Sequence, residues 1–452
     1  MKKPVISIFV TTLLAVTVTS LSIPVNSTMA AQKRNSELNE YILSKDTIQE
    51  SDRFREEMGL SSKNLRSISN DPKNFSEKYG VFLTEKEEKE LDERLEEQKN
   101  QIPKIKDFIE NHLQDEFAAM YIDQKLGGVI NIGFKTGSEE KVKKFEEDLK
   151  KLYSKGMVEI YYTDYTEEQL DEMAESVSEK RNELAEKGLN VTSVSVNIPE
   201  QKIDIGVEKK KAFARSLLLN SETVSDIGLD IDSNLFNIFE EEVHQAQASP
   251  SDKFRPIQAG LSIVNTDAGK FCTSAFSAQI GTKFYVLTAG HCAESDTDKF
   301  SQGGPRFGKV ADYNFGGNVD SAIIKLDEGS KDATYYLFGN SKSKLYAINE
   351  VQKTKNETVG DAVCISGATT QTVKCGTLKT KNWKGDVLTH SGDKVYLSGM
   401  RQATYTSTRG DSGAPIFLGG TAIGIHSTSG GIYSHISRVI NHFEIDDIFI
   451  GN

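Results

Sequence analysis

All four cysteines and 25 of the 35 glycines in this 452-residue chain lie after residue 250, and no other feature narrows its fold as far. Glycine permits the tight turns that a short-stranded sheet protein needs, and the runs between these glycines are β-rich, so residues after 250 read as all-β. The charge divides at the same place. From residue 251 onward 21 Lys and Arg face 19 Asp and Glu, a net of +2. The totals of 54 and 66 leave 33 and 47 for residues 1–250, a net of −14. A chain this long holds two or three domains, each able to bury a core.

The chain opens with Lys2-Lys3, an apolar stretch from Val5 to Val18, and small residues up to Ala30-Ala31. That order is a secretory signal peptide over 1–30, cleaved after Ala30 or Ser27. The apolar run is short and broken by Thr and Ser, so it predicts no stable membrane anchor. Residues 31–248 form an α+β region. Helical spacing marks 84–97 and 139–153, and a capping pattern in Tyr162-Thr163-Asp164-Tyr165-Thr166-Glu167-Glu168 opens a helix to about Lys187. Strands are expected at 127–134, 157–162, 191–196 and 202–207. Residues 208–250 read as a linker, in which Glu240-Glu241-Glu242 is an exposed, cleavable stretch.

Chemistry is concentrated in three segments of the glycine-rich half. Leu287-Thr288-Ala289-Gly290-His291-Cys292 ends a β-type run, Asn318-Val319-Asp320-Ser321-Ala322 enters an apolar strand, and Gly410-Asp411-Ser412-Gly413-Ala414-Pro415 reads as a tight turn. A serine hydroxyl is a weak nucleophile until a base takes its proton, and histidine changes charge near neutral pH. A buried carboxylate then holds the other ring nitrogen and stabilises the imidazolium. The reading is Ser412 as nucleophile, His291 as general base then acid, and Asp320 as orienter. The N–H groups of Gly410 and Ser412 are the candidate oxyanion hole. Their order along the chain, His then Asp then Ser, is that of chymotrypsin-type proteases.

With these motifs, and with Val363-Cys364-Ile365-Ser366-Gly367-Ala368-Thr369-Thr370 leading to Lys374-Cys375-Gly376-Thr377, residues 257–452 resemble secreted bacterial chymotrypsin-fold serine proteases, the α-lytic protease and streptogrisin group. The resemblance implies a protease domain over 249–452, built of two antiparallel β-barrels with the triad between them. It selects Cys272–Cys292 and Cys364–Cys375 among the three pairings open to four exported cysteines. Related enzymes often carry a further bridge beside the nucleophile; none is possible here, so that wall must be held by packing or hydrogen bonds. The phrase Ala119-Met120-Tyr121-Ile122-Asp123 resembles the group's pro-regions, which implies an intramolecular chaperone and inhibitor that is later cut away. Its acidic surface suits docking on the mildly basic catalytic half.

Specificity follows from two places. Thr406, six residues before Ser412, stands where trypsin-like relatives place an aspartate, so Lys or Arg is not the expected P1 residue. In Ala422-Ile423-Gly424-Ile425-His426-Ser427-Thr428-Ser429-Gly430, the arrangement of His426, Ser427 and Ser429 resembles the pocket of glutamyl endopeptidases of this fold. A partly buried imidazole beside hydroxyls can hydrogen-bond a P1 carboxylate and gain charge on binding it, with Arg409 at the rim. The expected function is therefore a secreted monomeric serine endopeptidase preferring Glu or Asp at P1, with proteins or peptides as substrates and no nucleic acid. The alternatives are a pocket for small apolar side chains, a catalytically silent binding homologue, and single-turnover self-cleavage. His390, His435 and His442 lack metal spacing, no HExxH occurs, and the acidic loop 294–298 reads as solvated, so no metal or cofactor is expected.

Overall fold

The computed structural model describes residues 45–153, 157–186, 190–208, 232–241, 253–338, 345–389 and 391–451. The expected signal peptide, most of the expected linker, Glu242 and His390 lie outside these residues.

The glycine-rich half forms two antiparallel sheets of short strands. The first runs Lys270–Thr273, Ser262–Asn265, Lys299–Ser301, Arg306–Gly316, Val319–Leu326, Lys283–Thr288, Ser277–Ile280 and Asp447–Ile448, in that order of pairing. Its inner face is apolar, with Ile263, Val286, Phe300, Phe307 and Ile324 buried together. The second sheet closes on itself. Ala362–Ser366 pairs with Pro415–Leu418, then follow Thr421–Thr428, Ile432–His435, Lys394–Ala403 and Val373–Leu388, and the last strand returns to pair with the first. Val363, Ile365, Leu378, Ile416 and Tyr433 fill it. Closure leaves none of these six strands as a free edge, except where the long strand Val373–Leu388 extends beyond its partner.

The N-terminal region is α+β. Helix Glu85–His112 begins at Thr84, whose hydroxyl accepts from Glu87 N–H while the Glu87 carboxylate accepts from Thr84 N–H. It runs on through Pro103, twice the length that the spacing at 84–97 marked, because Ile102, Ile105 and Ile109 continue the buried stripe. Helix Glu167–Glu179 is capped in the same way by Thr166 with Gln169, but it does not run to about Lys187: it ends at its C-cap, Lys180, and a separate helix, Arg181–Glu186, follows. The segment 139–153 differs from expectation: it breaks into Glu139–Lys143 and Glu146–Lys151, each of which buries a single residue, Val142 and Leu149. Strands Phe117–Asp123, Val129–Lys135 and Val158–Thr163 make one sheet.

Strands Val191–Asn197 and Lys202–Glu208 form a hairpin joined by Phe236–Glu241, which runs parallel to Lys202–Glu208. That strand corrects the linker expected over 208–250: Phe236 and Ile238 are buried, so the segment pairs instead of standing free. Glu241 is part of the ladder, and its carboxylate accepts from Thr192 and Ser193. Glu240 and Glu241 are thus held in a strand and not in an exposed loop.

The hairpin also continues the closed barrel, because Val194 and Ser193 pair with Lys384 and Gly385 of Val373–Leu388. Three lysines on that barrel strand meet carboxylates of the N-terminal region: Lys379 with Asp204 at 3.4 Å, Lys381 with Glu167 at 2.7 Å, and Lys384 with Glu175 at 2.9 Å. Charge complementarity between the acidic and basic halves is realised in these pairs. At the C-terminus a helix spans Ile436–His442 and stops where Glu444 adopts φ +51°, which sends Ile445 into the core. Among the described residues, no helix is long and apolar enough to cross a membrane.

Candidate active site

His291 lies on a single turn, Gly290–Cys292, directly after strand Lys283–Thr288. Gly290 is required there, since a Cβ would sit 1.8 Å from the Asn314 carbonyl. The Cys272–Cys292 disulfide ties this turn to strand Lys270–Thr273, with Cα atoms 6.3 Å apart. Both expected pairings are present: Cys364 and Cys375 face each other across their ladder and are bridged. Phe315 packs beside the imidazole, with ring centroids 5.3 Å apart.

Asp320 is fully buried on strand Val319–Leu326. Its Oδ2 lies 2.8 Å from His291 Nδ1, and its Oδ1 accepts from the His291 backbone N–H at 3.0 Å. Ser427 Oγ donates to the same Oδ2 at 2.6 Å, so Ser427, expected on the substrate wall, turns its hydroxyl inward to the carboxylate. Burial would raise the Asp320 carboxyl, but the facing His291 and the Ser427 hydroxyl outweigh it and hold the group below its ordinary value. A buried carboxylate kept ionised by three donors is what an imidazole base needs behind it.

Ser412 stands in the turn between strands Lys394–Ala403 and Pro415–Leu418. Gly410, at φ +113°, occupies a conformation open to glycine. The Asp411 carbonyl accepts from Ala414 N–H at 2.8 Å. A trans peptide turns the N–H of Ser412 opposite to that carbonyl, away from the turn's interior. Ser412 Oγ donates to the Ser427 carbonyl at 3.3 Å, while His291 Nε2 is buried with no hydrogen-bond partner. Ser427 links the two groups: its carbonyl accepts from the Ser412 hydroxyl, and its own hydroxyl donates to the Asp320 carboxylate that faces His291.

Hydrogen bonds replace the bridge that is absent beside Ser412. Asp411 Oδ1 accepts from the N–H groups of Thr369 and Thr370, and Oδ2 accepts from Thr408 N–H and the Thr370 hydroxyl. Gly413 N–H donates to the His426 carbonyl at 2.8 Å, and His426 N–H donates to the Ala414 carbonyl at 2.9 Å. The Ser412 turn and the His426 strand are thereby one unit.

His426 departs from the partly buried imidazole expected: it has no exposed surface. Burial, with His291 nearby, pushes it down to about 3, against the smaller opposing effects of Asp320 and the Ile432 carbonyl, so the ring is neutral. Its Nδ1 lies 3.0 Å from the Tyr405 hydroxyl, and its Nε2 is buried without a partner. Ser429 is half-buried, whereas Thr406 and Arg409 are exposed. Thr406 therefore does not share the buried wall with His426; the residue before it, Tyr405, points inward.

The sequence pattern of the family described as Trypsin matches residues 243–442. Streptogrisin-D of Streptomyces griseus is 33% identical over 182 residues, which cover 40% of this chain and 42% of that protein. Glutamyl endopeptidase 2 of Streptomyces griseus is 35% identical over 165 residues, 36% of this chain and 81% of that protein. The chain belongs to the trypsin family. Among solved structures, Thermobifida fusca protease A is 25% identical with a TM-score of 0.36, covering 43% of this chain and 99% of that one.

In this trypsin-family chain, sequence reading reached the residues that stand inside short motifs and missed those that act across the fold. Thr273 donates from its hydroxyl to the Gly410 carbonyl at 2.6 Å, and Ser434 Oγ accepts from Asp320 N–H at 2.9 Å. Neither has a local signal. Tyr405 had one, as the lone aromatic within Thr404-Tyr405-Thr406-Ser407-Thr408. The acidic loop 294–298 is also less solvated than expected, because the buried Asp298 carboxylate accepts from Glu294 N–H, Ser295 N–H and Asn265 Nδ2. Among the described residues no cluster of His, Cys, Asp and Glu is placed to hold a metal.

Proposed function

We propose that this chain is the proenzyme of a secreted serine endopeptidase that hydrolyses peptide bonds with Ser412, His291 and Asp320 and prefers Glu at P1. In the first step His291 Nε2 takes the Ser412 proton as Oγ bonds to the substrate carbonyl carbon. The carbonyl oxygen becomes an oxyanion facing the N–H groups of Gly410 and Ser412. His291 then gives the proton to the departing amine, the C–N bond breaks, and an acyl-serine remains. Water repeats the cycle with its proton passing through the same nitrogen. Asp320 stays ionised throughout and balances the imidazolium. Before attack, Ser412 Oγ rotates from the Ser427 carbonyl toward the open Nε2.

The observation that carries the triad is the fully buried Asp320 joined to both the ring and the backbone of His291. Preference for Glu rests on polar atoms left without partners. His426 Nε2, Tyr433 Oη and Ser407 Oγ are each buried with no hydrogen bond. Tyr433 is the cross-strand neighbour of His426, and Ser407 follows Tyr405 by two residues. Leaving a buried donor unmet costs about 1–3 kcal/mol, and a carboxylate offers up to about four acceptor sites. A small apolar P1 side chain would leave His426 Nε2 unmet. The relative named glutamyl endopeptidase 2 adds weight to this choice.

The N-terminal region is assigned the role of a docked pro-region that templates and inhibits the barrels, over residues 31–248. Its strand addition to Val373–Leu388 and its three ion pairs support this, as does the non-local pairing of the barrels, which folds slowly without help. A fluorophosphonate probe tests the triad: wild type labels and Ser412→Ala does not. Mass spectrometry of peptides cut by the mature enzyme tests P1. Cleavage predominantly after Glu is expected, and equal cutting after Ala or Leu would overturn the acidic pocket.

A further inference from the structure

We propose that Tyr405 is a positioning residue for P1 recognition: its hydroxyl donates to His426 Nδ1 and so holds the ring in the tautomer that presents Nε2–H to the substrate. This rests on the acidic-pocket reading above and names the group that makes it work.

Tyr405 is 3% exposed, and its hydroxyl lies 3.0 Å from Nδ1 with the two rings at 67°. A neutral imidazole carries one proton, on Nδ1 or on Nε2, and the partner of one nitrogen decides which. Among the described residues Nδ1 is the one hydrogen-bond partner of the Tyr405 hydroxyl. If Nδ1 held the proton, the phenol O–H would have nothing to donate to, and two buried groups would compete to donate along one line. If the phenol donates, its proton is satisfied and Nδ1 is a lone-pair acceptor. The proton of the ring then sits on Nε2, the buried nitrogen without a partner. Burial, with Tyr433 and Asp411 nearby, pushes the phenol well above its ordinary value, so it remains a donor across the working range of pH.

The arrangement also corrects how the pocket holds a carboxylate. A fully buried neutral ring does not offer a fixed positive charge. It offers a directed N–H, whose aim is set by a second residue held in the barrel core. Tyr405 packs there against Tyr433, with ring centroids 6.5 Å apart, so the donor cannot drift. Recognition of this kind discriminates by hydrogen-bond geometry, and it fails when the supporting donor is removed even if the histidine remains.

The test is Tyr405→Phe in the mature enzyme, assayed on peptide p-nitroanilides that differ only in P1 as Glu or Ala, with active sites counted by a serine probe. The ratio of kcat/KM for Glu over Ala is expected to fall about tenfold or more, while kcat/KM on Ala stays within about twofold. Equal loss on both substrates, or an unchanged ratio, overturns the inference. A wild-type enzyme with no preference for Glu instead defeats the acidic pocket itself, which is a separate outcome. Should Tyr405→Phe fail to fold, nitrogen NMR of the His426 ring in the mature Ser412→Ala protein reads the tautomer directly. Protonation at Nε2 supports the proposal, and protonation at Nδ1 refutes it.

Discussion

The Thr273 backbone N–H donates to the Ser412 carbonyl at 2.7 Å, and the Thr273 hydroxyl donates to the Gly410 carbonyl at 2.6 Å. One strand of the first sheet thus grips the Ser412 turn of the closed barrel at two points, across the seam between the two sheets. Its hydroxyl oxygen also accepts from Ala368 N–H at 3.2 Å, so it links three segments. Thr273→Val keeps the shape and the backbone bond but strips two buried partners. Activity, as kcat/KM per titrated active site, is expected to fall about tenfold, and unfolding stability by about 1–3 kcal/mol. Thr273→Ser, which keeps the hydroxyl, is expected to retain most of both.

Asp320 is the carboxylate that faces His291, the proposed base. Asp320→Asn preserves shape while an amide replaces the acceptor that His291 Nδ1 and the Ser427 hydroxyl both face. The expected loss in kcat is about 10⁴-fold, the size seen for the corresponding change in another protease of this chemistry. Stability follows a defined sign. The folded carboxyl lies below its ordinary 3.8, so its contribution is present above 3.8 and fades as pH falls through the lower folded value. Thermal unfolding of Asp320→Asn in the Ser412→Ala background is therefore expected to decline less steeply with acid than the parent.

How much of this was readable beforehand depends on distance along the chain. The candidate triad residues, Gly410 and the capped start of Glu167–Glu179 each sit inside a short motif, where neighbours fix the local conformation; the cap forms as read, and Asp320 meets the His291 ring. Glu85–His112 extends beyond the spacing at 84–97 because Ile102, Ile105 and Ile109 are buried, and that burial carries the helix through Pro103. The strand Phe236–Glu241 was missed because it exists only by pairing with Lys202–Glu208. Likewise His426 could be named from its position before Ser427, but its full burial, its neutrality and its Tyr405 partner arise from barrel closure. Contacts between distant segments carry no local pattern.

Arg401 and Glu357 illustrate such a contact. They are joined by two hydrogen bonds at 2.8 and 2.6 Å, with both side chains almost wholly buried. Burial would raise the Glu357 carboxyl, yet the guanidinium holds it below its ordinary value. Arg401→Met leaves a carboxylate without its cation and is expected to cost about 3–5 kcal/mol in urea unfolding. The double variant Arg401→Met with Glu357→Gln is expected to lose less than the sum of the two single changes, since the second removes the stranded charge.

The seam between the N-terminal region and the closed barrel is expected to give the full-length chain a stability minimum near neutral pH. Lys106, on helix Glu85–His112, donates to the carbonyls of Lys355 and Glu357 at 3.1 and 2.7 Å. Burial, together with Lys381, pushes it down to about 8. Asp361 accepts from Thr358 N–H at 2.7 Å, and burial pushes it up to about 7, with Glu357 adding and Lys106 and Lys381 opposing. A carboxyl raised from 3.8 gives stability that is full below 3.8 and gone above about 7. An amine lowered from 10.5 gives stability that is full above 10.5 and gone below about 8. Between 7 and 8 neither contributes. In full-length Ser412→Ala protein, Asp361→Asn is expected to flatten the rise in Tm on the acid side, and Lys106→Met the rise on the alkaline side. Parallel Tm curves for parent and variants across that range would show that these two groups do not govern the seam.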